Sequence, residues 1–457
     1  MEKHNKINIL WTIPSSRAIR MFIDTPIFKK LAEDSSFNIY VIHGLSDIRK
    51  VIPEKVFQLR YPTIFKPIKN QISQLLDICP SILGYIFADK KFWIRGFRLT
   101  FIYTDHKIFI KKIIKIVVAL CLWPFKSIIA RIIYHDSRYT SLIKNNSINI
   151  IISSNPVYIT ERTLSRSAEL LKVPFLLIND GWDTFQSSSY KELFKFYGAI
   201  VTGNYIKKNA IYRNFSEKQI LVSGLLYAPL LEKYYSEIDV KDVREKYRIP
   251  QGKKVILMFY SGRTIAGQME SIVIEKVLHA IETNNINNAV LLFRLHPNPG
   301  RDDERLYKEK YKNNHNIIFQ TPSRSMDEFY DGRIHSDQFF EVAQLFKVAN
   351  VFINFFSNSL IEASIVKLKS ILIDIETDGS YPFAYVSKSD VYSQVTKNKY
   401  ISVAKDFKSL FNLINSFLKK DLSKEESIYR DQILYDFSSK NPEFYNQFKQ
   451  FLLNSSC

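Results

Sequence analysis

Short apolar runs alternate with longer amphipathic stretches from one end of this chain to the other, and that alternation constrains the fold more than any other feature. Strands separated by helix-length connections do not pair as hairpins. They align in parallel, with each crossover helix packed on the sheet, so the fold class is α/β. Residues 7–12 read as a buried strand, Pro14-Ser15-Ser16-Arg17 as a loop, 18–32 as a helix and 37–42 as the next strand. Further on, strands at 148–153 and 174–178 flank a helix near 160–171, and strands at 199–202 and 219–222 follow. A parallel sheet of five or more strands is predicted.

The theme then starts again. A polar stretch over 232–246, ending at Pro250-Gln251-Gly252, precedes a new strand at 255–260. After it come a helix at 269–283, strands at 289–294 and 316–320, a helix at 337–347, a strand at 351–354, a helix from Ser359 and a strand at 370–374. From Ala404 onward the spacing is helical, without a strand signal. A chain of 457 residues also exceeds the roughly 250–300 at which one core stops growing. The expected domains are therefore 1–235, 236–403 and a helical tail, 404–457, packed across both.

Lys and Arg outnumber Asp and Glu by 64 to 45, a net charge of +19, which calls for anionic partners: nucleic acid, an acidic membrane surface or phosphorylated substrates. The basic residues are scattered instead of forming an aromatic-interleaved stripe, which argues against nucleic acid. Cys79, Cys121 and Cys457 lie far apart with no CxxC pair, so neither a disulfide framework nor a zinc site is encoded. Residues 1–9 are charged and lack the apolar run and cleavage site of a signal peptide, which predicts a cytoplasmic protein. One segment stands apart: the apolar run 116–125 sits among Lys107, Lys111, Lys112, Lys115, Lys126, Arg131, Arg138 and Lys144. It is too short to span a bilayer, which takes about 20 residues. It suits either a core helix with a solvated basic face or an interfacial helix on anionic lipid, in contact with the inner face of the cell membrane.

Candidate chemistry collects where strands end, the edge at which open α/β sheets bind ligands. His296-Pro297 follows the strand 289–294; the imidazole suits donation to a phosphate oxygen as well as a loop position without a ligand, and Pro297 turns the chain out of regular structure. Ser357-Asn358-Ser359 follows 351–354 and opens a helix, a ready anion site, while Ser359 with Glu362 also satisfies a capping box that needs no ligand. Asn179-Asp180-Gly181-Trp182-Asp183 follows 174–178, where Asp180 or Asp183 suits a general base as well as a turn. Ser15, Ser16 and Arg17 follow the first strand, and Ser261, Gly262 and Arg263 follow the first strand of the second domain. There is no GxGxxG after a strand, no GxxxxGK[ST], no HExxH and no GxSxG, which disfavours dinucleotide oxidoreductases, phosphate-loop hydrolases, metallopeptidases and esterases.

Two α/β sandwiches with Asn179-Asp180-Gly181 in the first, and His296-Pro297 and a Ser-rich strand-to-helix turn in the second, resemble the GT-B class of bacterial glycosyltransferases. More narrowly they resemble the sialyltransferase, polysialyltransferase and capsule Kdo-transferase group. The resemblance implies two Rossmann-like domains with a cleft between them and C-terminal helices. It implies an inverting transferase with no metal or other cofactor, using a nucleotide-activated sugar, CMP-linked in that group, and a glycan or lipid-linked acceptor in capsule, lipopolysaccharide or exopolysaccharide biosynthesis. His296, Pro297, Ser357, Asn358, Ser359, Glu362 and Arg263 would hold the donor. Ser15, Ser16 and Arg17 would face the acceptor, and Asp180 or Asp183, with His296, would be catalytic. The chain departs from the group in having Asn179 at the first acidic position and Asn358 between the serines. A His-Pro and a Ser-rich turn also occur in CDP-glycerol-type glycerophosphotransferases, and related turns in UDP-N-acetylglucosamine 2-epimerases.

Overall fold

A computed structural model describes residues 6–14, 18–44, 52–62, 71–73, 75–76, 117–154, 158–179, 196–212, 215–261, 269–295, 301–323, 338–375, 390–419 and 424–455. These form two compact units. The first is built from the chain up to Tyr227 and again from Asp436, and the second from Ala228 to Tyr435.

In the first unit, β1 (Ile7–Ile13), β2 (Phe37–His43), β3 (Phe57–Arg60), β4 (Ile150–Ser153), β5 (Phe175–Ile178), β6 (Gly198–Val201) and β7 (Ile220–Val222) pair in the order β3-β2-β1-β4-β5-β6-β7. In the second, β8 (Lys254–Phe259), β9 (Ala289–Arg294), β10 (Ile317–Gln320), β11 (Val351–Asn354), β12 (Ser370–Ile373) and β13 (Ile401–Ala404) pair in the order β10-β9-β8-β11-β12-β13. Every pairing in both sheets is parallel. Helices on both faces leave no wet side, and so β4, β5, β6, β9 and β12 are buried at every position and read as continuous apolar runs. In each sheet the winding starts at an inner strand, runs outward two strands, then resumes on the other side, the doubly wound Rossmann-like arrangement.

Four expectations are revised. The single helix over 18–32 is two pieces. Asp24 N–H reaches back five residues to the Ile19 carbonyl, and a fresh helix, Pro26–Glu33, starts at a proline with Thr25 as its N-cap. Proline has no N–H to continue a preceding turn, so it begins one. The polar stretch 232–246 does not separate the two units: it lies in the helices Ala228–Glu237 and Val240–Lys246, which belong to the second. Their polarity reflects half-exposed faces, while Leu231 and Val243 are buried and Tyr234 meets Phe340 edge-on at 5.4 Å. The unit boundary consequently falls at Tyr227, ahead of residue 235. Two edge strands, β3 and β13, had no sequence signal strong enough to read: β3 carries exposed positions such as Phe57, and β13 is a four-residue strand half-buried at its two central positions.

The tail from Ala404 is divided between the units. Helices Phe407–Lys419 and Lys424–Phe437 lie with the second, where Arg430 Nε donates to the Ser364 carbonyl at 2.9 Å and Asn398 Nδ2 donates to the Tyr429 carbonyl at 2.7 Å. From Asp436 the chain completes the first unit. Ser439 N–H donates to the Thr202 carbonyl at 3.0 Å, and Asn441 Nδ2 to that of Val222 at 2.8 Å. The last helix, Phe444–Ser455, reaches Asp34 through Tyr445 and Lys449 at 2.6 and 2.7 Å. Gly203 allows this return, because a Cβ there would land on the Asp436 carbonyl.

Candidate functional site

The sheet of the second unit reverses its winding at β8, which has β9 on one side and β11 on the other. At such a point the carboxyl ends of the strands leave a crevice. Asn354, the last residue of β11, is buried there, and both ends of its carboxamide are engaged: Oδ1 accepts from Ser261 Oγ at 3.1 Å and Nδ2 donates to Ser357 Oγ at 2.9 Å. The Ser261 N–H in turn donates to buried Glu270 at 2.7 Å, at the start of the helix Met269–Glu282. Ser357 Oγ spends a lone pair on Asn354, which leaves its own proton to be donated elsewhere. The network therefore aims one hydroxyl from a fixed base.

The helix after β11, Ser359–Ile365, departs from the capping-box alternative. Asn358 occupies the N-cap position with helical dihedrals of −56° and −25° and no side-chain cap bond. The backbone N–H groups of Leu360, Ile361 and Glu362 donate to the carbonyls of Ser357 and Asn358. Those three amides are therefore taken up within the turn, and the half-buried side chains Ser357, Asn358 and Ser359 stand beside them, with half-buried Glu362 one turn on.

Two further polar clusters hold neighbouring strand ends, and neither was singled out from the sequence. Arg294 closes β9 as a buried cation, donating to Gln320 Oε1 at 2.7 Å and to Glu341 at 3.3 Å. Glu341 also accepts from the Ser323 N–H at 3.1 Å and from the Ser323 hydroxyl. Asp374, just past β12, accepts from the Tyr392 hydroxyl and from Lys405. Burial and the Asp374 charge push the Tyr392 phenol well above its ordinary value. The signal for the first cluster was available: an Arg ending an otherwise unbroken apolar strand is costly unless paired.

In the first unit the corresponding point lies between β1 and β4, and Glu161 sits there with no exposed surface. It opens the helix Ile159–Leu171 and accepts from Thr12 Oγ1 at 2.5 Å, from Ser153 Oγ at 2.6 Å and from the Tyr61 hydroxyl. Burial pushes its carboxyl up to about 7 against the pull of those three donors. Ser154 closes the same edge, with its N–H on Thr12 Oγ1 at 3.2 Å and its hydroxyl on the Thr12 carbonyl at 3.0 Å. Asn179, directly after β5, behaves differently. Its backbone N–H donates to the Ile200 carbonyl at 2.8 Å, but its carboxamide is buried, with neither the oxygen nor the nitrogen partnered among the described residues. A buried amide without partners costs about 1–3 kcal/mol and so requires an explanation.

Of the residues expected at a site, Ser357, Asn358, Ser359 and Glu362 are brought together at the end of β11. Ser15, Ser16, Arg17, Asp180, Asp183, Arg263, His296 and Pro297 lie outside the described residues. In chain order they follow β1, β5, β8 and β9, whose last residues are all described.

No family model matches this chain, and no curated protein matches it. Solved structures do. A glycosyltransferase from Rickettsia africae ESF-5 aligns over 99% of both chains with a TM-score of 0.57 at 12% identity. A UDP-GlcNAc 2-epimerase from Neisseria meningitidis, bound to UDP-GlcNAc, aligns over 98% of this chain and 100% of its own with a TM-score of 0.57 at 10% identity. The S. aureus MnaA–UDP co-structure aligns over 98% and 97% with a TM-score of 0.58 at 9% identity. At such identities the likeness is one of fold. The chain has the GT-B fold, two Rossmann-like α/β units with C-terminal helices.

Proposed function

We propose that this protein is an inverting, metal-independent glycosyltransferase that uses a nucleotide-activated sugar to build a cell-surface polysaccharide of the capsule, lipopolysaccharide or exopolysaccharide kind. The observation that carries the reading is the Ser261–Asn354–Ser357 relay at the reversal point of the second sheet, which aims a hydroxyl from the edge where this fold class binds ligands. Two of the structural neighbours are named for UDP-GlcNAc or UDP, a nucleotide sugar and its nucleotide.

On this reading the second unit takes the donor. Ser357, Asn358 and Ser359, with His296-Pro297 and Arg263, meet the phosphates, and Glu362 supports that turn. The first unit takes the acceptor, with Ser15, Ser16 and Arg17 near it and the open carboxamide of Asn179 as its hydrogen-bonding partner. Asp180 or Asp183 accepts the proton of the acceptor hydroxyl. The oxygen then attacks the anomeric carbon from the face opposite the phosphate, the bond from that carbon to the phosphate oxygen breaks, and the configuration inverts. The negative charge that appears on the leaving phosphate is met by the His296 imidazole and the serine hydroxyls, in place of a metal.

The test is a panel of CMP-, CDP-, UDP- and GDP-linked compounds, read by shift in melting temperature and by nucleotide release with acceptor present. One nucleotide class should stabilise the protein, release should survive a metal chelator, and His296→Ala should slow it roughly 10²–10³-fold. Unchanged binding and turnover in His296→Ala would remove the donor-site assignment. A second reading, a UDP-GlcNAc 2-epimerase-like enzyme, is favoured by the fold likeness to such epimerases. It predicts isomerised sugar from a nucleotide sugar alone, and a CDP-glycerol-type glycerophosphotransferase predicts CMP release from CDP-glycerol alone among the panel.

A further inference from the structure

The apolar run over 116–125 continues into the helix Lys126–Ile133, and burial accounts for only one side of it. Ala130, Ile133 and Tyr134 pack with Leu76 in a small core cluster, and Ala119 is buried too. The other side is equally apolar yet open: Val117 is 53% exposed, Leu120 43%, Phe125 57%, Ile128 58% and Ile132 68%. Ile128 and Ile132 are four apart, one turn along the same helix face, with Phe125 a turn earlier. An ordinary surface helix puts polar residues on such a stripe.

Its surroundings are basic. From 117 to 145 the sequence has Lys126, Arg131, Arg138 and Lys144 against one acid, Asp136, which is paired to Arg138 at 2.7 Å. Lys107, Lys111, Lys112 and Lys115 precede it in the sequence. Arg131 is exposed between Ile128 and Ile132, and Lys126 Nζ lies 3.8 Å from the centre of the Trp123 ring, an amphipathic pair of the kind found at lipid headgroup level. Among the described residues no single helix is long and apolar enough to cross a membrane. Val117–Ile133 and Ser137–Asn145 pass such a test only jointly, and they are bent by 55°. The 3-10 turn Trp123–Phe125 at Pro124 and the new helix start at Asp136 interrupt the run, so the segment lies along a surface instead of through it.

We propose that segment 117–133 is a docking face for an anionic lipid surface, its open apolar stripe set among the acyl chains and its lysines and arginines among the acidic headgroups. Charge complementarity selects this occupant. A second copy of the same chain would bring the same basic rim against it and be repelled, whereas acidic phospholipid attracts each Lys or Arg by about 1 kcal/mol near the surface. The inference is independent of the reaction above, because binding to lipid is read without substrate.

The experiment uses the full chain with vesicles of phosphatidylcholine alone or mixed with phosphatidylglycerol, followed by co-sedimentation and by the emission of Trp123, identified through a Trp123→Phe control. The wild type should bind the mixed vesicles, bind pure phosphatidylcholine more weakly, and lose binding as salt rises. Ile128→Asp/Ile132→Asp should weaken partitioning roughly a hundredfold with an unchanged melting temperature, since both positions are open to solvent. Lys126→Glu/Arg131→Glu, which leaves the apolar stripe intact, should weaken binding to mixed vesicles roughly tenfold or more and leave pure phosphatidylcholine unaffected. Absence of binding to mixed vesicles, or equal binding by the double Asp variant, would overturn the proposal. So would a wild-type dimer that the double Asp variant turns into a monomer, because the face would then serve a second copy.

Discussion

The carboxamide of Asn179 has no hydrogen-bond partner among the described residues although it is buried, and that cost in the free protein is one that a bound ligand can remove. Asn179→Ala should therefore leave the melting temperature unchanged or raise it slightly while lowering kcat/KM about tenfold or more. A loss of stability of about 2 kcal/mol, as for a well-bonded buried amide, would count against the ligand role. Glu161 makes the opposite case, a buried group with every partner supplied by its own unit. Its carboxyl is raised from 4.5 to about 7 on folding, so the folded state holds that proton more tightly than the unfolded one. The stability it contributes is complete below pH 4.5 and is lost as pH rises through 7. Glu161→Gln should flatten the fall in unfolding free energy across that window, a fall of about 3 kcal/mol in the wild type, as measured by denaturant titration at several pH values.

At the scale of elements, the strands that position the site were legible because parallel sheets bury both faces, which makes β9 and β11 unbroken apolar runs ending in Arg294 and Asn354. The serine turn was legible for the same reason, since a polar cluster after such a run has to lie at a strand end. What sequence spacing did not reveal was the pairing between clusters. Asn354 engages Ser261, 93 residues away, and Glu161 engages Thr12, 149 residues away, and no local period reports contacts at that separation. The helix pair at 228–246 was misread because its surface is charged, and its buried positions, Ala228, Leu231, Ile238 and Val243, are too sparse to show an apolar stripe. Gly203 marks another contact of this long-range kind. Gly203→Ala should destabilise the first unit by about 2–3 kcal/mol, read as protection lost from exchange in segment 436–441, because the added methyl displaces the Asp436 backbone.

For the whole molecule, the two units are separate in core and in winding, so thermal unfolding should resolve into two transitions in calorimetry. Removing residues from Asp436 onward should lower one of them and leave the other in place. The first unit would lose the bonds at Thr202 and Val222 and those of Asp34 with Tyr445 and Lys449, while Arg430 and its contact with the Ser364 carbonyl stay with the second. Burial alone would raise the Asp34 carboxyl, yet hydrogen bonds from Lys449, Tyr445 and the Ser36 N–H hold it well below the usual carboxylate range, so this tie holds at neutral pH and loosens only in strong acid.

The return of the chain to the first unit also sets an order of assembly on the ribosome. Synthesis delivers β1 to β7 first, yet the strip that covers Gly203 and Gly224 emerges only after the entire second unit has been made. A nascent chain halted shortly before Asp436 has every strand of the first sheet but lacks the closing strip and the helix Phe444–Ser455, whose buried Phe444, Phe448 and Leu452 have apolar partners that then stay open to chaperones and proteases. Premature termination late in the message thus marks its own product for removal, even though all strands of both sheets have already been translated.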